Sequence, residues 1–242
     1  MASNKKRHNG VYHLKQWFPF TDYDFYGYLA SGLVAVFCVD YCLNGGDYLL
    51  RTHWTFLQGA LAISLVYIVG QCIAIPSAIV LENGIASWLL TEPSKILLSD
   101  QSSWVERQIG KFLIGRYYRP MPETTRTRLF DRALAEEGLT KRQILAKPEL
   151  IFDVAYHHAR QSEDTRLRID DFRNQYGLAR NVSFVLFLSA YLLFRSDTAN
   201  RPTLILAEFA LILAVAMFIR FLKFYSCFTA AVLKPYAYGE RR

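Results

Sequence analysis

Charge is nearly missing from four stretches of this 242-residue chain, at 26–43, 55–81, 179–194 and 203–222. Each approaches or reaches the roughly 20 mostly apolar residues that cross a bilayer. The scarcity is local. Mean hydropathy is only +0.10 because the charged residues gather between and beyond these runs. Cysteine is also sparse. Cys38, Cys42, Cys72 and Cys227 lie in or beside apolar segments, and none falls in zinc-type pairs. Cys38 and Cys42 share a helix face, but that spacing alone defines no metal site. Reduced thiols in a membrane core are expected, with no metal and no cofactor.

Other absences narrow the function. No hydrolase, kinase, P-loop or zinc signature is found. His157 and His158 are adjacent, so on a helix they point apart and make a poor ligand pair. No catalytic residue is nominated, and an enzyme is not expected. No inverted repeat supports a secondary transporter. No strand pair, internal repeat or low-complexity tract is found. Lys5, Lys6 and Arg7 precede a polar, aromatic stretch, and the first apolar run starts only in the mid-twenties. That run is read as a retained span and not a cleavable signal.

The expected fold is therefore all-α: a polytopic membrane protein with four transmembrane helices. A cytoplasmic helical domain is inserted between the second and third. The divisions are a basic and aromatic arm (1–24), a first hairpin (25–82), the helical domain (83–178), a second hairpin (179–224) and a tail (225–242). The third run is short. It spans only if its helix starts near Tyr176–Arg180 with Arg180 snorkelling, and is otherwise re-entrant. Lys5, Lys6, Arg7 and Lys15 in the arm, the Arg-rich middle, and Lys223, Lys234, Arg241 and Arg242 outweigh the two connectors. That bias places both termini and the middle in the cytoplasm of a multi-pass protein of the inner (plasma) membrane.

Small residues recur at four-residue spacing in the first span (Gly27, Ser31, Ala35) and in the second (Gly70, Ala74, Ala78). They allow helix backbones to approach closely, within one chain or between copies. Pro76 removes a helical hydrogen bond, so a kink or break is expected there, with Gly70 and Pro76 as the hinge candidates. In the middle, Pro122-Glu123 opens a helix that Gly138 stops. Thr140 caps a short one, and Pro148-Glu149 opens another. A further helix from about Glu163 runs into the third span.

Two kinds of site stand out. Gly115-Arg116-Tyr117-Tyr118-Arg119-Pro120 sets two tyrosines between two arginines, with Lys111 one turn before and Arg126, Arg128 and Arg132 after. Guanidinium groups hold phosphates and aromatic rings stack on bases, so the patch suits a nucleotide or oligonucleotide. It equally suits anionic headgroups. Within the membrane, Asp40, Gln71, Glu82 and Glu208 are candidates for an ion pathway. Acids at that depth are costly and usually face a cavity or a partner. Repeated about an axis, Asp40 or Glu208 would make a cation-attracting ring. The alternative for both is pairing with Arg51, Arg195 or Arg201.

Phe25-Tyr26-Gly27-Tyr28-Leu29, Gly70 followed by Glu82, and Tyr176-Gly177-Leu178-Ala179-Arg180-Asn181 together resemble bacterial four-span membrane effector proteins of anti-phage defence operons. The resemblance implies an oligomer that opens a pore or perturbs the membrane when a cytosolic partner or nucleotide signal changes. The expected function is thus a homo-oligomeric channel-like effector, with a tetramer as the expected state. It is gated by the cytoplasmic domain through a protein partner or an anionic ligand. The alternative is a non-conducting membrane anchor that recruits a cytosolic protein or nucleic acid.

Overall fold

A computed structural model of the chain describes residues 27–46, 53–89, 93–98, 120–196 and 201–239. Every regular element among them is helical. In chain order these are α1 (Leu29–Asn44), α2 (Phe56–Ser77), a π-helical segment (Ala78–Leu89), α3 (Pro93–Leu98), α4 (Glu123–Glu137), α5 (Lys141–Ala146), α6 (Pro148–Ala159), α7 (Glu163–Arg195) and α8 (Arg201–Tyr238).

Three of these helical stretches are long and apolar enough to cross a membrane: Phe56–Ile85, α7 and α8. That is consistent with a multi-pass membrane protein. On length, the third run follows the sequence expectation and the first does not. The third run, short as an apolar segment, belongs to a 33-residue helix about 50 Å long. The first run forms a helix of 16 residues, about 24 Å and below the usual spanning length.

Capping explains most helix ends. Thr55 and Gln58 close a capping box at the start of α2, and Thr140 and Gln143 do the same for α5. Each box satisfies two backbone N–H groups that a helix start would otherwise leave unpaired. At the end of α4, Gly138 takes φ +65°, a conformation side-chain-bearing residues seldom adopt. There the Gly138 and Leu139 N–H groups donate back to Leu134 and Ala133. Pro148 occupies the first turn of α6, where its missing N–H costs nothing. Pro76 does not break the helix. It sits in the last turn of α2, and two residues later the backbone changes to π geometry. A lost donor beside a local change of hydrogen-bond register is a known combination in helices.

α7 is the central helix. It packs along α8 and also against α1, α2 and the π segment. Alanines let α7 and α8 lie close: Ala190, Ala207, Ala210 and Ala214 are all buried. Polar groups join the helices as well. Ser183 Oγ donates to Ala214 O at 2.9 Å, and Tyr41 OH lies 3.5 Å from Thr203 Oγ1. α1 and α2 meet backbone to backbone. A Cβ on Gly32 would lie 1.8 Å from Val66 O, and one on Gly70 would lie 1.8 Å from Tyr28 O. Only glycine permits this crossing.

Beyond the apolar bundle, α3 to α6 gather around the ends of α7 and α8. Leu129, Ala133, Ile144, Ile151, Ile169, Val232 and Leu233 form one fully buried core there. Between this helical module and the bundle lies a collar of rings. Tyr176 and Tyr225 stack at 5.4 Å, with Phe221 and Phe228 beside them. Both long helices pass through the collar without interruption, so the module and the bundle share two continuous rods.

Candidate functional site

The polar residues of the bundle fall into three groups along those rods. The first lies on the apolar helices. Glu208 follows Arg201 by seven residues in α8, about 10 Å along the axis. It is exposed and has no ion pair or hydrogen bond among the described residues. Its neighbours on the same surface, Leu204, Ile205, Phe209 and Ile212, are exposed as well. On α2, Gln71 is also exposed. Its Nε2 donates to Tyr67 OH at 3.0 Å, and Ser64 is exposed nearby, so three polar groups line one face at i, i+3 and i+7. Asp40 differs: it is buried and accepts from Asn44 Nδ2 at 3.2 Å.

The second group sits where α7 enters the bundle. Arg180 forms an ion pair with Glu82 of the π segment. Both side chains are mostly shielded, at 12% and 23% exposure. The next residue, Asn181, is fully buried, and its Oδ1 accepts from Ser77 Oγ at 2.6 Å. The same Oδ1 lies 3.4 Å from the Arg180 guanidinium. Asn181 Nδ2 is buried without a hydrogen-bond partner among the described residues. Ser77 and Glu82 flank the α-to-π change after Pro76, so this cluster ties the irregular end of α2 to the middle of α7. Gly70, the other hinge candidate, is occupied in the α1–α2 crossing.

The third group locks the module to the end of α8. Arg132 of α4 is 3% exposed. Its guanidinium donates to Tyr236 O at 2.7 Å, Gly239 O at 3.0 Å and Glu136 Oε1 at 2.9 Å. It meets His158 Nε2 at 3.2 Å and lies over the Tyr236 ring. The carbonyls are those a helix end leaves open, so Arg132 is a side-chain cap reaching in from another helix. The hydrogen bond from Arg132 is the main cause that holds the Glu136 carboxyl below its usual range.

Of the candidate anion-binding residues, Lys111, Arg116, Tyr117, Tyr118 and Arg119 lie outside the described residues. Arg126 and Arg128 are on α4, and Arg128 stacks over the Tyr238 ring at 5.0 Å. Among the described residues no group of three or more His, Cys, Asp or Glu side chains is placed to hold a metal ion.

Sequence reasoning passed over Arg132 as an individual residue and Gly32 altogether. An arginine flanked by apolar Phe130, Ala133 and Leu134 on an otherwise polar helix was the available signal for the first. No protein-family model, curated protein or solved structure matches the chain.

Proposed function

We propose that the protein is a homo-oligomeric, channel-like membrane effector whose aqueous path forms between copies. The cytoplasmic helical module gates it. In this reading α1 is the first of four spans, and both termini face the cytoplasm with the module. The observation that carries the reading is Glu208: an exposed acid, with no ion pair or hydrogen bond among the described residues, on an otherwise apolar face about 10 Å along α8 from Arg201. Facing lipid, an ionised side chain costs on the order of 2–3 kcal/mol or more. Facing water between copies, it carries little such cost and attracts cations. Ser64 and Gln71 on one face of α2 support the same reading, because they too are polar and exposed.

Gating draws support from the two unbroken rods. A shift of the module displaces α7 and α8 as levers, and the Glu82–Arg180 pair carries that motion to the second span. The antiviral role implied by the sequence resemblance belongs to this proposal. The test is oligomeric mass in lipid nanodiscs together with current across planar bilayers. A closed oligomer that conducts supports the reading. A monomer without current overturns it and leaves the anchor that recruits a cytosolic partner.

A further inference from the structure

Between the start of α7 and the end of α8 the module has a groove of about 420 Å³, lined by Asp164, Arg168, Phe172, Cys227, Lys234 and Pro235, among others. Its size falls within the range of small-molecule sites, roughly 300–1,000 Å³. Its chemistry is divided. Phe172, Pro235 and the alanines Ala230 and Ala231 make an apolar wall, while Arg168 and Lys234 stand at the rim as exposed cations.

The charges there are uncommitted, unlike their neighbours. Glu163 pairs with Arg166, Asp171 accepts from Gln175, and Arg160 donates to Tyr156. Arg168, Lys234 and Asp164 form no hydrogen bond or ion pair among the described residues. Two cations and one carboxylate therefore face a groove with an aromatic wall and an excess positive charge.

We propose that this groove binds a small phosphorylated ligand bearing a flat ring, of the nucleotide class. Arg168 and Lys234 take the phosphate, as a planar fork and a point charge respectively. Phe172 packs against the ring. Asp164 accepts a hydrogen bond from a ring N–H or a sugar hydroxyl.

A lipid headgroup does not fit the position. Arg168 lies twelve residues before Arg180 on α7, about 18 Å along the axis. Lys234 lies fourteen residues beyond Arg220, which in the proposed topology marks the inner end of the fourth span, about 21 Å along α8. Both distances exceed the roughly 5–8 Å depth of a headgroup layer. The inference names the ligand class for the gating reading above and rests on it only for the consequence of binding. Because the groove is walled by the two helices that enter the membrane, an occupant contacts both levers at once.

The test is titration of the full chain, in nanodiscs of phosphatidylcholine, with nucleoside monophosphates, nucleoside triphosphates and cyclic dinucleotides. Adenosine and inorganic phosphate are the partial probes. At least one nucleotide should bind saturably, and about tenfold or more tighter than either partial probe. Arg168→Ala and Lys234→Ala should each weaken that binding about tenfold, a charge-assisted contact being lost in each case. Arg142→Ala, exposed on α5, should leave it unchanged. Helical circular dichroism confirms that the variants fold. Absence of saturable binding by every nucleotide overturns the proposal. So does binding that survives the double substitution, or that anionic phosphatidylglycerol in the disc abolishes. Nucleotide binding without current would sink the pore and keep the groove, and current without binding would do the reverse.

Discussion

Glu82 and Arg180 are 98 positions apart in the chain and in direct contact in the fold. Their ion pair joins the π segment after Pro76 to the point where α7 enters the bundle. It is neither an exposed pair, where less than about 1 kcal/mol is typical, nor a fully buried one, where losing one partner costs about 3–5 kcal/mol.

Removing one partner should accordingly cost on the order of 2 kcal/mol. Glu82→Ala and Arg180→Ala should each lower the unfolding midpoint in detergent. The double variant should cost less than the sum of the two. A double-mutant cycle with no coupling would remove the pair from the account.

The α1–α2 crossing is tested by alanine at its two glycines. Gly32→Ala and Gly70→Ala each drive a methyl group into a backbone carbonyl of the other helix. Overpacking of this kind costs about 1–3 kcal/mol. Gly59→Ala, with open space around it, should be neutral or slightly stabilising, as helix propensity favours alanine by about 0.5–1 kcal/mol. Thermal melts of the three variants check the contrast.

Arg132→Ala leaves Tyr236 O and Gly239 O without their cap and Glu136 without its partner. The expected loss is about 3 kcal/mol, as for other buried charged hydrogen-bond networks. Lysine keeps the charge but not the planar fork, so Arg132→Lys should recover only part of it. Limited proteolysis after α8 should report the loosened end in both.

The same contact makes the module sensitive to acid. Glu136 has a folded-state pKa lowered from 4.5, chiefly by its hydrogen bond from Arg132. A lowered carboxyl contributes stability that is fully present above its unfolded pKa. The contribution fades as pH falls through the folded value. Unfolding followed from neutral pH into that acid range should show this loss, and Glu136→Gln should flatten it.

Local signals made much of the module legible in advance. Pro122-Glu123 and Gly138 bracket α4, Thr140 starts α5 and Pro148 starts α6, each through a backbone requirement that a single residue meets. The continuous helix from Glu163 into the third run was legible because no proline interrupts 163–195. Long-range pairings were not legible. Nothing local marks Glu82 as the partner of Arg180, or Gly32 as the residue facing Val66, because both depend on how separate helices cross. Arg132 lay among arginines that read as a surface patch, and only the approach of the α8 terminus distinguishes it. Pro76 signalled an irregularity correctly, but the backbone resolves it by a change of helical register at Ala78 instead of a break.

The reversal potential of currents through reconstituted protein, in a potassium chloride gradient, tests the central claim most directly. Wild-type protein should conduct with cation preference, and Glu208→Gln should move the reversal potential toward zero while the oligomer stays intact. A wild-type protein that assembles but carries no current, with the nucleotides of the groove titration present or absent, would contradict the account, as would a Glu208→Gln protein with unaltered selectivity.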